Sequence, residues 1–321
     1  VNGEHGATVC IGHFRIPDRD ALAQLRAALD GADKVLVLVG SAFLPRSPRN
    51  PFTWEERREI VLDALPEAER GRVQFAPLRE RYDDTERAER DVRETVARHG
   101  WTPDAARRVR IEEPPEGSPL TELLFSGASP EAVLRALGPR VPDSTLSFLR
   151  GWVGGVAHQR ICDEWRQLAE EKAAWSVAPY PVVLVTVDAV VRAGERVLLV
   201  KRGRQPGKGL WALPGGFLDP REPVLQSALR ELAEETRLQL ADIHAALRGV
   251  RVFDHPWRSQ RGRVITHAHH FDLGTRELPK VKGSDDAAAA KWVPIAQLAA
   301  MEAQFLDDHF HILDSFLGFA V

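Results

Sequence analysis

The stretch GGFLDPREPVLQSALRELAEETRL, residues 215–238, decides how this chain is read. From Gly216 five residues lead to Glu222, seven more lead to Arg230, and then come Glu231, Leu232, Ala233, Glu234 and Glu235. The pattern predicts a helix from about Pro223 to Thr236, with proline tolerated in the first turn because its missing N–H would be unpaired there anyway. On that helix Glu231, Glu234 and Glu235 stand at i, i+3 and i+4, so their carboxylates share one face within a turn. Three like charges so placed repel unless a cation sits among them, and hard oxygen ligands suit Mg²⁺ or Mn²⁺ rather than zinc. The Gly215-Gly216 turn lets a backbone carbonyl approach such an ion where a side chain would obstruct it. Arg230 adds a fixed positive charge that can orient a neighbouring carboxylate. An acid-rich surface helix would explain Glu234 and Glu235 but not Gly216 and Glu222 at their spacing.

Upstream of this segment, β-rich runs at 181–191 and 196–201 flank Ala193-Gly194-Glu195 and predict a hairpin, with a third strand at Trp211 to Leu213. Downstream, strands are expected near 248–253, 264–273 and 289–293, and a final helix from about Ile295 onward. The first half has another rhythm. Strands at 7–11, 34–39 and 73–76 alternate with helical patterns, and Thr53 followed by Glu56 forms a capping box that starts a helix at Trp54. Such alternation implies a parallel sheet. Mixed charges over 79–110 read as a solvated helix face. The run EEPPEGSP at 112–119 reads as a loop, 139–142 marks another break, and helical segments continue to about Trp175. SVAPYP at 176–181 then reads as a linker, giving expected domains at 1–175 and 176–321.

The chain has 321 residues, 44% of them apolar, with 43 basic and 46 acidic side chains for a formal net charge of −3. That balance offers no bulk attraction to nucleic acid or an anionic membrane, while a small anionic metabolite is compatible with it. Cys10 and Cys162 are isolated, so neither a disulfide framework nor structural zinc is expected. The most apolar stretch, 182–191, is interrupted by Thr186 and Asp188 and is far too short to span a bilayer. A cytoplasmic protein is expected.

The array from Gly216 to Leu238 resembles the Nudix box, departing from it only at Arg237, where the family has glycine. The resemblance implies that Arg230 pairs with Glu222 or Glu231, and that the helix serves a metal-dependent pyrophosphatase whose general base is either a box glutamate or a carboxylate on a distant loop. Asp285 and Asp286, in KGSDDA, are the residues of the second kind; they also fit an ordinary polar turn.

Beyond the box, VTVDAVV, GKGLWALPGGF, RVFDHPWRSQRGRVITHA and KGSDDAAAAKWVP make the chain similar to the bifunctional nicotinamide-mononucleotide adenylyltransferase/Nudix hydrolases. This resemblance implies an α/β Rossmann-like nucleotidyltransferase domain followed by an α+β Nudix domain, an α/β/α sandwich, that cleaves ADP-ribose to AMP and ribose 5-phosphate. Arg258, Arg261 and Arg263 are then expected at the phosphates, since a guanidinium grips two oxygens at once. Phe253 and Trp257 are candidates to stack on adenine, although an aromatic beside a strand is more often core. Among His267, His269 and His270, alternation on a strand disfavours a shared zinc site, and His267 is expected to bind substrate. A homodimer is compatible with the family.

In the amino-terminal half, GSAFLPRSPRNPFTWEERREIV and PRVPDSTLSFLRGW match the same family, but its catalytic motif does not. Asp18 and Ala21 occupy the positions of the two histidines that hold ATP phosphates, and a carboxylate there would repel them. This half is therefore expected to be unable to transfer adenylate. Other nucleoside diphosphate derivatives, a truly bifunctional enzyme, and a non-enzymatic ADP-ribose sensor remain alternative readings. The sensor with an appended DNA-binding domain is disfavoured because the chain stops at Val321, soon after the last expected helix.

Overall fold

The computed structural model describes residues 6–82, 84–112, 118–240, 242–274 and 277–319. The chain divides into two compact units, Val1–Trp165 and Arg166–Val321.

In the first unit, β1 (Ala7–Gly12), α1 (Arg19–Asp30) and β2 (Lys34–Val39) form the expected β-α-β opening. They are followed by α2 (Trp54–Ala64), α3 (Glu67–Arg70), β3 (Val73–Pro77), α4 (Thr85–Arg98) and β4 (Arg107–Arg110). All pairings in this sheet are parallel, in the order β3-β2-β1-β4. Strand β2 is buried on both faces because α1 and α4 cover opposite sides. Val35, Val37 and Val39 pack with Leu22, Leu25 and Leu29, while Leu36 and Leu38 pack with Val92 and Val96. Each such side chain contributes roughly 1.5–3 kcal/mol on full burial.

Local chemistry sets the helix starts. Thr53 and Glu56 form the capping box expected for α2, and Asp18 caps α1 by accepting from the Ala21 N–H at 2.8 Å. The mixed-charge segment is helical only in part, because Arg107–Arg110 forms β4 beside β1. Its sequence RRVR carries one apolar residue, so the strand lacks a readable period. Four helices close the unit: α5 (Pro119–Leu124), α6 (Pro130–Leu137), α7 (Asp143–Trp152) and α8 (Val156–Trp175). The expected loop at 112–119 lies mostly outside the described residues, and Pro119 already opens α5. The division at Trp165 falls inside α8, ten residues before the boundary expected at Trp175.

The second unit is built on a mixed sheet. Its strands are β5 (Val183–Ala193), β6 (Arg196–Arg202), β7 (Trp211–Ala212), β8 (Gly215–Phe217), β9 (Leu247–Phe253), β10 (Arg263–Asp272) and β11 (Ala287–Pro294). The main path runs β11-β6-β5-β10-β9, with β7 on β6 and β8 on β5. Helix α9 (Val224–Thr236) packs Leu232 against Ala189, Val191 and Phe271 on one face. A one-turn helix, α10 (Ile243–Ala246), precedes β9. The expected final helix is three pieces: α11 (Ile295–Leu298), a 3₁₀ turn at Ala299–Gln304, and α12 (His309–Leu317). Helix α12 covers the other face, where Phe310 and Leu313 meet Val190, Leu199 and Ala268. The result is the α/β/α sandwich expected of this half.

Candidate active site

Helix α9 begins one residue later than expected, with Pro223 as an extended N-cap rather than a first-turn residue. Its end is unusual. Arg237 takes the left-handed conformation, φ 62°, and its N–H reaches the Ala233 carbonyl at 2.9 Å. This is the position where glycine would cost least.

The glycine pair ahead of the helix is demanded by space. A Cβ on Gly215 would lie 2.1 Å from the Val187 carbonyl oxygen, and one on Gly216 would lie 2.7 Å from the carboxyl carbon of Glu231. Strand β8 therefore lies close against both β5 and the acidic face of α9, and the Gly215 N–H donates to Glu235 Oε2 at 3.1 Å. Arg230 ties the acidic face. Its Nε donates to Glu222 Oε2, and its Nη1 donates to Glu231 Oε1 and Glu234 Oε2, each at 2.9 Å. Ser227 also donates to Glu222 Oε2, at 2.7 Å.

Glu231, Glu234 and Glu235 share the helix face but do not point to one spot. Glu231 and Glu234 are drawn to Arg230, whereas Glu235 is buried under Gly215. Among the described residues, no three His, Cys, Asp or Glu side chains form a ready ligand cage. The electrostatics nevertheless ask for a cation. Burial, with Glu231 nearby and only partly offset by the Gly215 hydrogen bond, pushes the Glu235 carboxyl up to about 8, and burial also raises Glu231. Carboxylates against glycine backbone are the donor set that Mg²⁺ or Mn²⁺ takes, so the residues fit such an ion.

The loop holding Asp285 and Asp286 caps the carboxyl end of α9. Lys282 and Ser284 donate backbone N–H groups to the carbonyls of Thr236 and Glu235 at 2.9 and 3.1 Å, and Ser284 Oγ donates to that of Glu234. Asp285, at φ 54°, lies close enough for its charge to raise Glu231. Asp286 is instead held by Arg204 at 3.0 Å.

Beside the acidic face is a cavity of about 60 Å³ walled by Asp188, Arg202, Gly215, Glu235, Arg261 and His309, among others. Arg202 is depressed by burial and by the neighbouring Arg261, so two guanidiniums crowd a site that suits an anion. Asp188 accepts from Thr266 Oγ1 at 2.5 Å, and His309 Nδ1 accepts from the Leu213 N–H at 2.9 Å.

The residues expected at the substrate separate here. Arg261 lines the cavity, its guanidinium 5.5 Å from the Phe217 ring centre. Arg258 also reaches the wall, but its Nε and Nη2 are engaged by Asp308 at 2.9 and 2.8 Å in a buried pair, whereas the expectation had them gripping phosphate. Arg263 pairs with Asp254 and does not line the cavity. Phe253 packs against the core and Phe316, and Trp257 is half exposed and is not among the residues lining this cavity. His267 lies between Thr266 and Ala268, whose side chains face Asp188 and α12, and strand alternation turns it to the opposite side. His269 is buried and stacks on Phe271, while His270 meets Phe316.

Residues 183–316 match the NUDIX domain family. The carboxyl-terminal unit is a Nudix domain. An ADP-ribose pyrophosphatase of Methanocaldococcus jannaschii is 36% identical over 114 residues, 36% of this chain and 63% of that protein. The ADPR responsive transcriptional repressor NtrR of Acinetobacter baylyi is 34% identical over 148 residues, 44% of this chain and 56% of that one. The chain thus spans less than two thirds of the length of these curated relatives. The crystal structure of a bifunctional NMN adenylyltransferase/ADP ribose pyrophosphatase from Francisella tularensis, complexed with AMP and a Mn ion, superposes with a TM-score of 0.85 at 26% identity, covering 99% of this chain and 100% of that one. The first unit accordingly has the nucleotidyltransferase-like Rossmann arrangement, with a parallel sheet and flanking helices.

Three residues that line this cavity, Asp188, Arg202 and His309, are not among the candidates the sequence offered. Asp188 carries a signal in the sequence, since it is the one charge inside the apolar run 182–191. Arg202 and His309 carried none, because a charge closing a strand and a histidine opening a helix are ordinary. Among the described residues no helix is long and apolar enough to cross a membrane.

Proposed function

We propose that the Nudix unit hydrolyses the pyrophosphate of ADP-ribose, giving AMP and ribose 5-phosphate, with a divalent cation, Mg²⁺ or Mn²⁺, held by Glu231, Glu234, Glu235 and the Gly215-Gly216 backbone. The observation that carries this reading is the acidic face of α9, with Glu235 buried against the Gly215 N–H beside a cavity lined by Arg202 and Arg261. A divalent cation supplies electrophilic polarisation of the pyrophosphate. The protein's own part is arranged around that. Arg261 and Arg202 face the substrate phosphates and offset their charge. Arg230 positions Glu231 and Glu234, anchored at the start of the helix by Glu222. Asp285 is the loop carboxylate set beside the box and is assigned the role of general base, with Asp286 engaged elsewhere.

The amino-terminal unit is proposed not to transfer adenylate. The support is that Asp18 places a carboxylate at the first turn of α1 and spends it on the Ala21 N–H, where a phosphate would otherwise meet helix donors. Elsewhere in the unit, Glu80 takes a hydrogen bond from Ser41 Oγ at 2.6 Å and pairs with His13 at 3.2 Å, so the His13 side chain is already engaged by a carboxylate.

Hydrolysis of ADP-ribose, NADH, a dinucleoside polyphosphate and an oxidised nucleotide, each with and without Mg²⁺, tests the first part. ADP-ribose is expected to turn over fastest, and Glu235→Gln to lower kcat by at least ~100-fold with the fold intact, as for loss of a group that acts in the transition state. Unchanged turnover in that variant would refute the assignment. NAD formed from nicotinamide mononucleotide and ATP by the purified protein would refute the second part.

A further inference from the structure

The segment expected to be a mere linker forms the wall of a second cavity. This cavity, about 380 Å³, is lined by Lys172 and Trp175 at the end of α8, by Tyr180 in the following Pro-rich turn, by Leu184 on β5, and by Arg261 and Gly262. Its volume falls within the roughly 300–1,000 Å³ typical of small-molecule pockets, whereas the 60 Å³ space at the acidic helix has no room for a nucleoside. Arg261 lines both. Its guanidinium stands over Phe217 and is steadied by Glu171 on α8 at 3.5 Å, so the side chain is braced between the two cavities.

The lining has a definite chemical character. It presents two aromatic rings, two cations and no carboxylate. Trp175 is 45% exposed and Tyr180 is 81% exposed, so ring faces are open to a planar partner. Aromatic faces beside cationic groups recognise a nucleobase carrying phosphate, the first by stacking and the second by charge.

We propose that this cavity receives the nucleobase end of the substrate, with Trp175 and Tyr180 as the stacking residues and Arg261 bridging to the pyrophosphate in the smaller cavity. The inference rests on the reading of the Nudix unit as a nucleoside diphosphate hydrolase and names its base subsite. It also gives the end of α8 and the turn after it a part in substrate selection.

The test uses the full chain and a photoreactive nucleotide, 8-azido-AMP, so that it does not depend on turnover. Irradiation followed by tryptic digestion and mass spectrometry is expected to place label within 173–192, on Trp175 or Tyr180, and excess AMP should suppress it. Tyr180→Ala and Trp175→Ala, checked for fold by circular dichroism, should each raise KM for ADP-ribose about tenfold while kcat changes less than about twofold, as expected for lost base stacking. Label found only elsewhere, or unchanged KM in both variants, overturns the proposal. Labelling at Trp175 or Tyr180 in a protein that fails to hydrolyse any nucleoside diphosphate would instead sink the hydrolase reading while leaving the base subsite standing.

Discussion

Two aspartates adjacent in sequence illustrate how far a single residue's surroundings decide its role. Asp285 faces the box, and Asp286 is bound to Arg204. Asparagine tolerates the left-handed backbone of Asp285 and keeps the shape of the side chain, so Asp285→Asn isolates the carboxylate. It should lower kcat about 100-fold or more, the range expected for loss of a general base, whereas Asp286→Asn should change it less than about threefold. Steady-state rates of ADP-ribose hydrolysis decide, and equal effects would dismiss Asp285 as the base. In the other unit, burial alone would raise the Glu80 carboxyl, but the hydrogen bonds from His13 and Ser41 more than offset this and hold it at about 2. A group whose pKa is depressed on folding adds stability above its unfolded value, and that stability drains away as pH falls through the folded value. Glu80→Gln should therefore cost on the order of 2–3 kcal/mol at pH 7. The cost should shrink between about pH 4.5 and pH 2. Urea unfolding at pH 7 and pH 3 measures it; a cost that stayed constant would mean Glu80 is not held this way.

At the scale of elements, α9 joins catalysis to strain. Arg237 adopts the left-handed conformation without glycine's freedom, and that conformation costs other L-residues roughly 1–2 kcal/mol. Arg237→Gly should raise stability by about 0.5–1 kcal/mol after allowing for the extra freedom of the unfolded chain, with hydrolysis unchanged. A denaturation midpoint that falls would show that the arginine side chain contributes more than its backbone costs. The box helix was legible because its apolar period, acidic spacing and glycine pair are all local features. Strand β4 was not, since RRVR gains strand character only by lying against β1. The cavity wall was half legible. Arg261 could be named from a run of arginines, but which of Arg258, Arg261 and Arg263 would be captured by Asp308 or Asp254 depends on residues up to fifty positions away. The face that His267 takes could not be read either, because strand parity cannot be assigned to a face until the neighbouring strands are known.

At the scale of the whole molecule, two units with separate cores carry separate sensitivities. The buried Arg258–Asp308 pair belongs to the Nudix unit alone, and removing one partner leaves an uncompensated buried charge at a cost of about 3–5 kcal/mol. Arg258→Ala should lower one thermal transition and leave the other in place, as followed by calorimetry. A common shift of both would show that the units unfold as one. The near balance of acidic and basic side chains means that no global field would draw in the anionic substrate proposed above, so its attraction would depend on local groups such as Arg202 and Arg261.

Strand β9 borders the sheet on one side, with Val250 and Val252 about half exposed. Its Arg251 lies down on the rim, with Nη1 on the Ser315 carbonyl and the guanidinium 5.3 Å from the Phe316 ring centre. Margins of this kind invite sheet growth from strand to strand unless something charged stands in the way. Arg251 is such a charge, and because its resting place is the carbonyl of Ser315 and the ring of Phe316, the guard on this margin is positioned by the last helix rather than by the strand itself.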